Sequence, residues 1–222
     1  MISPRLARSL VALLALSTGS VVASADPHGH GPRGGSIAAA RQQAVGSTVT
    51  VRGTVSVPSN AFDAGFAVQQ DRAGIYVLDS GGAARALGAE VEITGTLVDS
   101  SGLLAIDPTT ITARGRGDRI DARERSTGEV GESTEGQLLE LEGRMVGDLV
   151  DDSPFGFKLE IDDGSGPIQL FLYPGTGIST AGLLDGVNLE VTCFSNQFET
   201  HYECDPRQPS DLQIKRRHHG HD

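Results

Sequence analysis

The chain has 222 residues and a formal net charge of −11, with 29 acidic and 18 basic residues. Such acidity disfavours an extended surface for a polyanion, and no segment after the N-terminal apolar run approaches the roughly 18 apolar residues of a membrane-spanning helix. Its 29 glycines, its lack of tryptophan and its short alternating runs of Val, Leu and Ile favour small β-sheets with tight turns over helices.

The N-terminus has the layout of a secretory signal peptide. Two arginines precede a short apolar run, Leu10–Leu16, and small residues ending at Ala25 offer a cleavage site. We therefore predict a signal peptide over residues 1–25, export to the periplasm or the medium, and a mature chain that begins near Asp26. The run is too short to span a bilayer as a mature helix, so an uncleaved anchor is the weaker alternative.

Histidines are concentrated in two tails, a His/Gly-rich segment over residues 26–35 and a basic segment over residues 215–222. Imidazoles at such spacing can chelate Zn, Ni or Cu, and the alternative is a plain solvated tail. The candidate metal ligands are His28, His30, His218, His219 and His221.

The body of the chain repeats itself. TVTVRGTVSV at 48–57 is matched by QLLELEGRMV at 137–146, and Gly-Phe opens a similar stretch at Gly65 and again at Gly156. Several ordered matches at similar offsets predict two copies of one small β-rich module. We place the modules and the segment between them at residues 36–113, 136–214 and 114–135.

In the first module, a short helical lead-in over residues 36–44 precedes five predicted strands. Five short strands with a longer connection between the third and the fourth are typical of a small Greek-key barrel. The strands are expected at 48–57, 65–71, 74–79, 89–98 and 103–113.

The second module repeats this order. The turn Asp162–Gly166 has the chemistry of a hairpin, because Gly supplies positive φ, and Ser179–Leu184 stands where a connector helix is expected. The sequence therefore predicts an all-β protein of two tandem five-stranded barrels. The strands of the second barrel are expected at 137–147, 155–162, 166–173, 187–195 and 201–214.

The two cysteines, Cys193 and Cys204, predict a disulfide in an exported chain. A hairpin that turns between Phe198 and Glu199 would place them opposite each other, and the closed loop would contribute roughly 3 kcal/mol in the chain-entropy model. A metal–thiolate pair is the alternative, but it needs more ligands than stand nearby in the sequence.

These motifs resemble the OB-fold modules that are attached to secreted bacterial nucleases. The shared marks are a VxGxV strand, a strand pair that opens on Gly-Phe, an EGxLxxxxG segment and a PRxxSD ending. The resemblance covers about residues 36–214. It implies tandem OB barrels and binding of nucleic acid, and it carries over no catalytic residues.

OB barrels bind single strands on the exposed face of their second and third strands, where aromatic side chains stack on bases and basic ones contact phosphates. Period-two alternation sorts the side chains of these strands into inward and outward sets. The alternative for the outward aromatic residues is packing against the sister module. The outward candidates for nucleic-acid binding are Gln69, Tyr76, Lys158, Phe171 and Tyr173.

Arginines of the segment between the modules form a second set of phosphate-binding candidates. Acidic residues are interleaved with them, so a solvated connection is the alternative. The first module has four basic and seven acidic residues, whereas the second has three and fourteen. Any nucleic-acid binding should therefore depend on the first module and the linker, with steep salt dependence. The linker candidates are Arg114, Arg116, Arg119, Arg123 and Arg125.

Motifs of catalysis are missing from the sequence, which has neither GxSxG nor HExxH and no Gly-rich phosphate loop opening a helix. His201 is the one histidine inside a module, so we predict no enzyme and no cofactor. The predicted function is that of an exported, non-catalytic binding protein for single-stranded nucleic acid. The alternative is an extracytoplasmic interaction or envelope-stress protein whose barrels bind another exported protein or a cationic ligand, which the acidic second module suits better.

Overall fold

The computed structural model describes residues 35–63 and 65–215. The predicted signal peptide and all five candidate histidines of the tails lie outside the described residues. Within these two ranges, no helix is long and apolar enough to cross a bilayer.

The first barrel is a closed five-stranded sheet in the order β1-β2-β3-β5-β4, with β4 pairing back onto β1. β3 and β5 run parallel and the other neighbours run antiparallel, which is the OB arrangement. The helical lead-in is confirmed as one short helix. The elements are α1 (Ile37–Ala40), β1 (Thr48–Val57), β2 (Phe66–Gln70), β3 (Ala73–Val77), β4 (Ala89–Ser100) and β5 (Leu103–Arg116).

The second barrel repeats this topology. Its closed order is β7-β8-β9-β11-β10, with β10 pairing back onto β7 and with β9 parallel to β11. Two short strands extend the sheet, because β6 pairs with β7 and β12 pairs with β10. The elements are β6 (Arg123–Arg125), β7 (Leu138–Asp152), β8 (Gly156–Asp162), β9 (Ile168–Leu172), β10 (Asn188–Phe198), β11 (His201–Asp205) and β12 (Leu212–Lys215).

The predicted fold class, two tandem OB-like barrels, is therefore confirmed. Each barrel fills its interior with its own alternating side chains, around Phe66 and Ile93 in the first and around Leu141 and Ile161 in the second. Burial of these apolar faces is the main favourable contribution to folding.

Several boundaries differ from the predicted ones. The last predicted strand of the second module is two strands, because Pro206 and Pro209 interrupt it and proline cannot donate to a strand ladder. Ser179–Leu184 forms no helix, and a 3-10 turn at Pro174–Thr176 stands earlier in that connection. The predicted linker is partly structured, since residues 114–116 belong to β5, residues 123–125 form β6 and residues 127–129 form a 3-10 turn.

The disulfide between Cys193 and Cys204 is confirmed, with its two Cα atoms 5.3 Å apart in the core of the second barrel. The predicted register is wrong by two residues, because Ser195 and not Cys193 stands opposite Cys204. The two cysteines are diagonal neighbours on the inward face, where a disulfide still reaches across the strands.

The two barrels are docked through an apolar seam on the outside of the first barrel. Phe194 of β10 points away from its own barrel and is fully buried, and its ring centroid lies 6.1 Å from those of Phe62 and Tyr76. This contact explains why β1 loses its alternating burial after Arg52, since its last five residues are buried on both faces of the sheet. The other buried members of this seam are Val57, Ala61, Ala67, Leu103 and Ala105.

Polar contacts fix the docking at the edges of the seam. Arg41 of the first barrel pairs with Glu135 at 2.8 Å, and its other terminal nitrogen donates to the carbonyl of Gly74. On the opposite side, Arg207 donates to the carbonyl of Ser56 at 2.7 Å. Asp211 holds this guanidinium through an almost fully buried ion pair. Such buried pairs set the relative orientation of the elements that they join, and breaking one is costly.

Two glycines permit the closest backbone approach between the barrels. A Cβ on Gly74 would overlap the carbonyl of Gly136, and a Cβ on Gly136 would overlap the carbonyl of Gly74. Gly136 also has φ of +81°, a conformation that side chains with a Cβ rarely adopt.

Gly74→Ala should therefore destabilise the docked pair. The φ of Gly74 suits alanine, so the clash with the backbone of the second barrel is the main cost, and we expect a loss of about 1–3 kcal/mol in the free energy of unfolding. Urea unfolding followed by circular dichroism measures the loss. Gly131→Ala is the matched control, because its new Cβ would have no heavy atom nearer than 4.0 Å. If the two variants unfold at the same urea concentration, the Gly74–Gly136 contact does not contribute to stability.

Candidate binding sites

The expected ligand face of the first barrel is covered. Gln69 and Tyr76 point outward from their own barrel, as predicted, but they are only 3% and 7% exposed because the second barrel lies on them. The side-chain oxygen of Gln69 accepts from the backbone N–H of Leu138 at 2.8 Å. The expectation that these two residues are available to a ligand is therefore wrong, and packing against the sister barrel is what the structure shows.

The corresponding face of the second barrel borders a cavity, although Phe171 is itself only 7% exposed. Lys158, Phe171 and Tyr173 lie around a cavity of about 640 Å³ on β8, β9 and β11. The rings of Phe171 and Tyr173 are 4.5 Å apart, and Phe62 of the first barrel packs on Tyr173 at 4.9 Å. Of the predicted ligand-binding aromatic residues, these two remain at the edge of an accessible space.

Lys158 is held in place by two contacts. Its ammonium group lies 2.7 Å from a carboxylate oxygen of Asp152 and 5.6 Å from the ring centroid of Phe171. The sequence prediction treated Lys158 as a free phosphate contact, whereas the structure pairs its charge within the barrel. It is therefore less available to a phosphate than an unpaired lysine.

Two acidic residues of β11, Glu203 and Asp205, lie on the outer face of the second barrel beside this cavity. The sequence alone did not identify them. The two oxygens of Glu203 accept from Asn196 at 3.1 Å and from Gln169 at 2.7 Å. Asp205 stands two residues further along the same face and accepts from Asn196 at 2.8 Å. The alternation around the disulfide-bonded Cys204 could have placed both carboxylates on the outer face.

The carboxylates of Glu203 and Asp205 have an unfavourable environment. Burial raises the pKa of Glu203, although its bond from Gln169 opposes the shift. Burial first, and then the neighbouring Glu203, raise the pKa of Asp205 well above its ordinary value. The Asp205 side chain is fully buried, and its Oδ1 has no hydrogen-bond partner. Strained titratable groups of this kind are concentrated at functional sites.

The two tyrosines at the seam, Tyr76 and Tyr173, also lie close to buried or partly buried carboxylates. Burial and then Asp205 raise the pKa of Tyr173, and burial and then Asp63 raise that of Tyr76. Both phenols therefore stay neutral, and the region between the barrels disfavours any further negative charge. A phosphate would be repelled here, whereas a cation would be attracted.

The five arginines predicted as a phosphate strip do not form one surface. Arg114 pairs with Glu92 at 2.6 Å, Arg119 pairs with Asp121 at 2.7 Å, and Arg116 is exposed at the end of β5. Arg123 and Arg125 lie on β6, beside the second barrel. Two carboxylates, Glu92 of β4 and Asp121 of the connecting segment, therefore neutralise part of the set.

A smaller arginine group is nevertheless assembled at the junction of the barrels. The pKa of Arg123 is lowered by burial and then by the charges of Arg125 and Arg72. Arg72, which sequence reasoning missed, stands in the β2–β3 turn of the first barrel. None of the three forms an ion pair within the described part of the chain. We refer to Arg72, Arg123 and Arg125 as the junction arginines.

A groove of about 680 Å³ adjoins the junction arginines, between the first barrel and residues 118–123. Its lining includes two arginines with carboxylate partners, Arg52 with Glu90 and Arg119 with Asp121. Arg72 and Arg123 also line the groove, and they are its arginines without such partners. The lining as a whole has four arginines and four carboxylates, including Asp71 and Asp118, so a phosphate would bind at the end where Arg72 and Arg123 have no ion pair among the described residues.

The described residues contain no cluster of side chains that would bind a metal ion. Over residues 35–63 and 65–215, no three side chains of His, Cys, Asp or Glu gather in a metal-binding arrangement. Asp162 and Asp163 serve the turn between β8 and β9 instead. Asp162 accepts from the backbone of Gly164, and Asp163 accepts from Thr127 at 2.8 Å.

No family model and no curated protein matches this chain. Among solved structures, it is similar to a murine DNA-binding protein bound to double-stranded DNA, at 12% identity over 78% of this chain and 99% of that one, with a TM-score of 0.38. The p204 HINb domain matches at 13% identity over 77% and 96%, with a TM-score of 0.35. A replication protein A heterotrimer bound to single-stranded DNA matches at 11% identity over 80% and 51%, with a TM-score of 0.32. None of these is linked to secreted nucleases.

Asp205→Asn should increase the free energy of unfolding at neutral pH. Because its pKa is raised on folding, the folded protein binds the proton more tightly than the unfolded chain does, so stability decreases as the pH rises from about 4 through the folded pKa. Asn keeps the oxygen that accepts from Asn196 and removes the buried charge, for an expected gain of about 1–3 kcal/mol. Urea unfolding at pH 7.5 and at pH 5 measures the gain, which should shrink at the lower pH.

Asp211→Asn is the matched control. Asp211 is similarly buried but accepts from Arg207 at 2.7 Å, so neutralising it should lower the free energy of unfolding at both pH values. A loss of stability for Asp205→Asn at pH 7.5 would show that its carboxylate carries no net cost of burial.

Proposed function

We propose that this chain is an exported, non-catalytic binding protein whose ligand is a nucleic-acid strand, held through its phosphates at the junction of the two barrels. The observation that carries this proposal is the convergence of the junction arginines without a carboxylate partner among the described residues. A guanidinium group presents a planar fork of donors that matches a phosphate, and nearby like charges are relieved when an anion binds between them.

The covered face of the first barrel limits the mode of binding. Bases cannot stack on Tyr76, which is buried under the second barrel, and the cavity beside Phe171 is lined by carboxylates. Contacts to phosphates alone position a strand without reading its sequence. We therefore expect weak, sequence-independent and strongly salt-dependent binding, consistent with a chain of net charge −11.

The non-catalytic part of the proposal is supported by the sequence of the two barrels. His201 is the one histidine between residues 35 and 215, and both cysteines are joined in a disulfide. These residues supply neither a Ser-His-Asp arrangement nor a Cys nucleophile.

Replacing Arg72, Arg123 and Arg125 together with Gln should weaken nucleic-acid binding and flatten its salt dependence. Each lost phosphate contact on a single strand reduces the slope of log affinity against log salt by about 0.7, so the triple variant should lose about 2 in slope. Fluorescence anisotropy of a labelled 20-nucleotide dT strand and of a duplex of the same length, between 25 and 200 mM NaCl, measures both effects.

The control for this experiment is Arg114→Gln, which removes an arginine of the predicted linker that is already paired with Glu92. It should leave the slope unchanged to within about 0.5. Absence of binding by the unmodified protein at 25 mM NaCl would refute the proposal. So would a triple variant that folds and binds like the unmodified chain.

Export is part of the same proposal and rests on the N-terminal sequence. Expression of the full chain in a bacterium that secretes through the general pathway should yield a periplasmic or secreted protein that begins at or near Asp26, because small residues precede that position. N-terminal sequencing and intact mass spectrometry of the fractionated cells measure this. Recovery of the chain from the cytoplasm with its first 25 residues intact would contradict export.

A further inference from the structure

We propose that the second barrel also holds a small quaternary ammonium ion, in the cavity between β8, β9 and β11 and the first barrel's Asp63. The cavity measures about 640 Å³, within the range of small-molecule sites. It is separate from the junction arginines, and its proposed ligand has the opposite charge.

Aromatic rings border the cavity on several sides. Phe155 and Phe198 are 68% and 56% exposed, and both line this one cavity, so they form an apolar patch rather than two isolated side chains. Phe171 and Tyr173 form the wall behind these two rings, with their centroids 4.5 Å apart. The faces of such rings attract cations, and they do so most strongly where water is excluded.

The charge of the lining is negative. Four carboxylates, those of Asp63, Asp152, Glu199 and Glu203, line the cavity together with two basic side chains, Lys158 and His201. Lys158 is paired with Asp152, so three carboxylates remain without an ion pair in the part of the chain that the structure describes. A cation that enters the cavity would therefore gain Coulombic energy from these carboxylates.

A buried carboxyl group outside the lining stands next to the cavity. Asp205 lies on the same face of β11 as Glu203 and is completely buried, and its Oδ1 has no hydrogen-bond partner. Its charge acts on Tyr173, which lines the cavity. An unpaired buried carboxylate is costly to a fold unless a positive charge offsets it.

One cation of the protein, the ammonium group of Lys158, already lies against an aromatic ring of this cavity. The ammonium group of Lys158 stands 5.6 Å from the centre of the Phe171 ring. A quaternary ammonium ion suits the remaining space because it needs no hydrogen bond from Glu203, whose oxygens already accept from Gln169 and Asn196. Its methyl groups would contact the aromatic faces, while the carboxylates stabilise its charge.

Isothermal titration of the mature chain with choline tests this proposal. The control ligand is 3,3-dimethylbutan-1-ol, which has the same shape as choline and no charge. We expect choline to bind with a dissociation constant below about 1 mM, at least about tenfold more tightly than the alcohol. The titration contains no nucleic acid, so its result is independent of the proposed strand binding.

Variants of exposed residues identify the site without disturbing the fold. Phe198→Ala should weaken choline binding about tenfold, and Leu184→Ala, which removes a 67% exposed side chain outside the cavity, should not change it. Lys158→Met should strengthen choline binding and leave the alcohol unaffected, because it removes the resident positive charge.

Three results would overturn the proposal. Absence of choline binding at 10 mM would show that the cavity holds no quaternary ammonium ion. Equal binding of choline and the alcohol would show an apolar cavity that does not recognise charge. Choline binding that is the same in Phe198→Ala, Lys158→Met and the unmodified chain would place the ion elsewhere on this acidic protein.

Discussion

The packing of Phe194 between the barrels is the contact on which the rest of the structure depends. This side chain leaves its own barrel and enters an apolar seam with Phe62 and Tyr76. By doing so, it covers the face of the first barrel that an OB fold ordinarily offers to a ligand. The same contact brings Asp63 to the cavity of the second barrel and sets Arg72 near the arginines of β6. Both candidate sites are therefore products of the docking rather than of either barrel alone.

The sequence was sufficient for the fold, because period-two alternation and the repeated motifs report directly on which side chains fill each barrel. The disulfide followed from the presence of two cysteines in a chain for which export was predicted. The incorrect predictions concern the packing between the barrels, about which the alternation of residues within one strand gives no information. Alternation told us that Gln69 and Tyr76 leave their barrel, but it cannot tell what covers them. The split of the last strand was foreseeable, since Pro206 and Pro209 cannot donate to a ladder.

For a related reason, the sequence predicted only some of the residues of the candidate sites. Phe171, Tyr173, Arg123 and Arg125 came from assuming an OB ligand face and a basic linker. Arg72 and Glu203 were missed because their importance arises from neighbours distant in the sequence. The pairing of Arg114 and Arg119 with nearby acids shows that a row of like charges in a sequence does not remain one in space. The two candidate sites therefore lie on separate parts of the molecule, one around unpaired arginines and one around carboxylates and aromatic rings, in a chain of net charge −11.

Two of the sequence motifs on which the resemblance rests lie at the edges of the seam. Arg207 and Asp211 of the PRxxSD ending clamp the carbonyl of Ser56, and Glu135 and Gly136 of the EGxLxxxxG segment contact Arg41 and Gly74. These positions therefore hold the two barrels together and do not form a ligand site. The two barrels are therefore not equivalent in this chain, because each supplies a different half of these contacts, and separating them would expose the apolar seam around Phe194 to water.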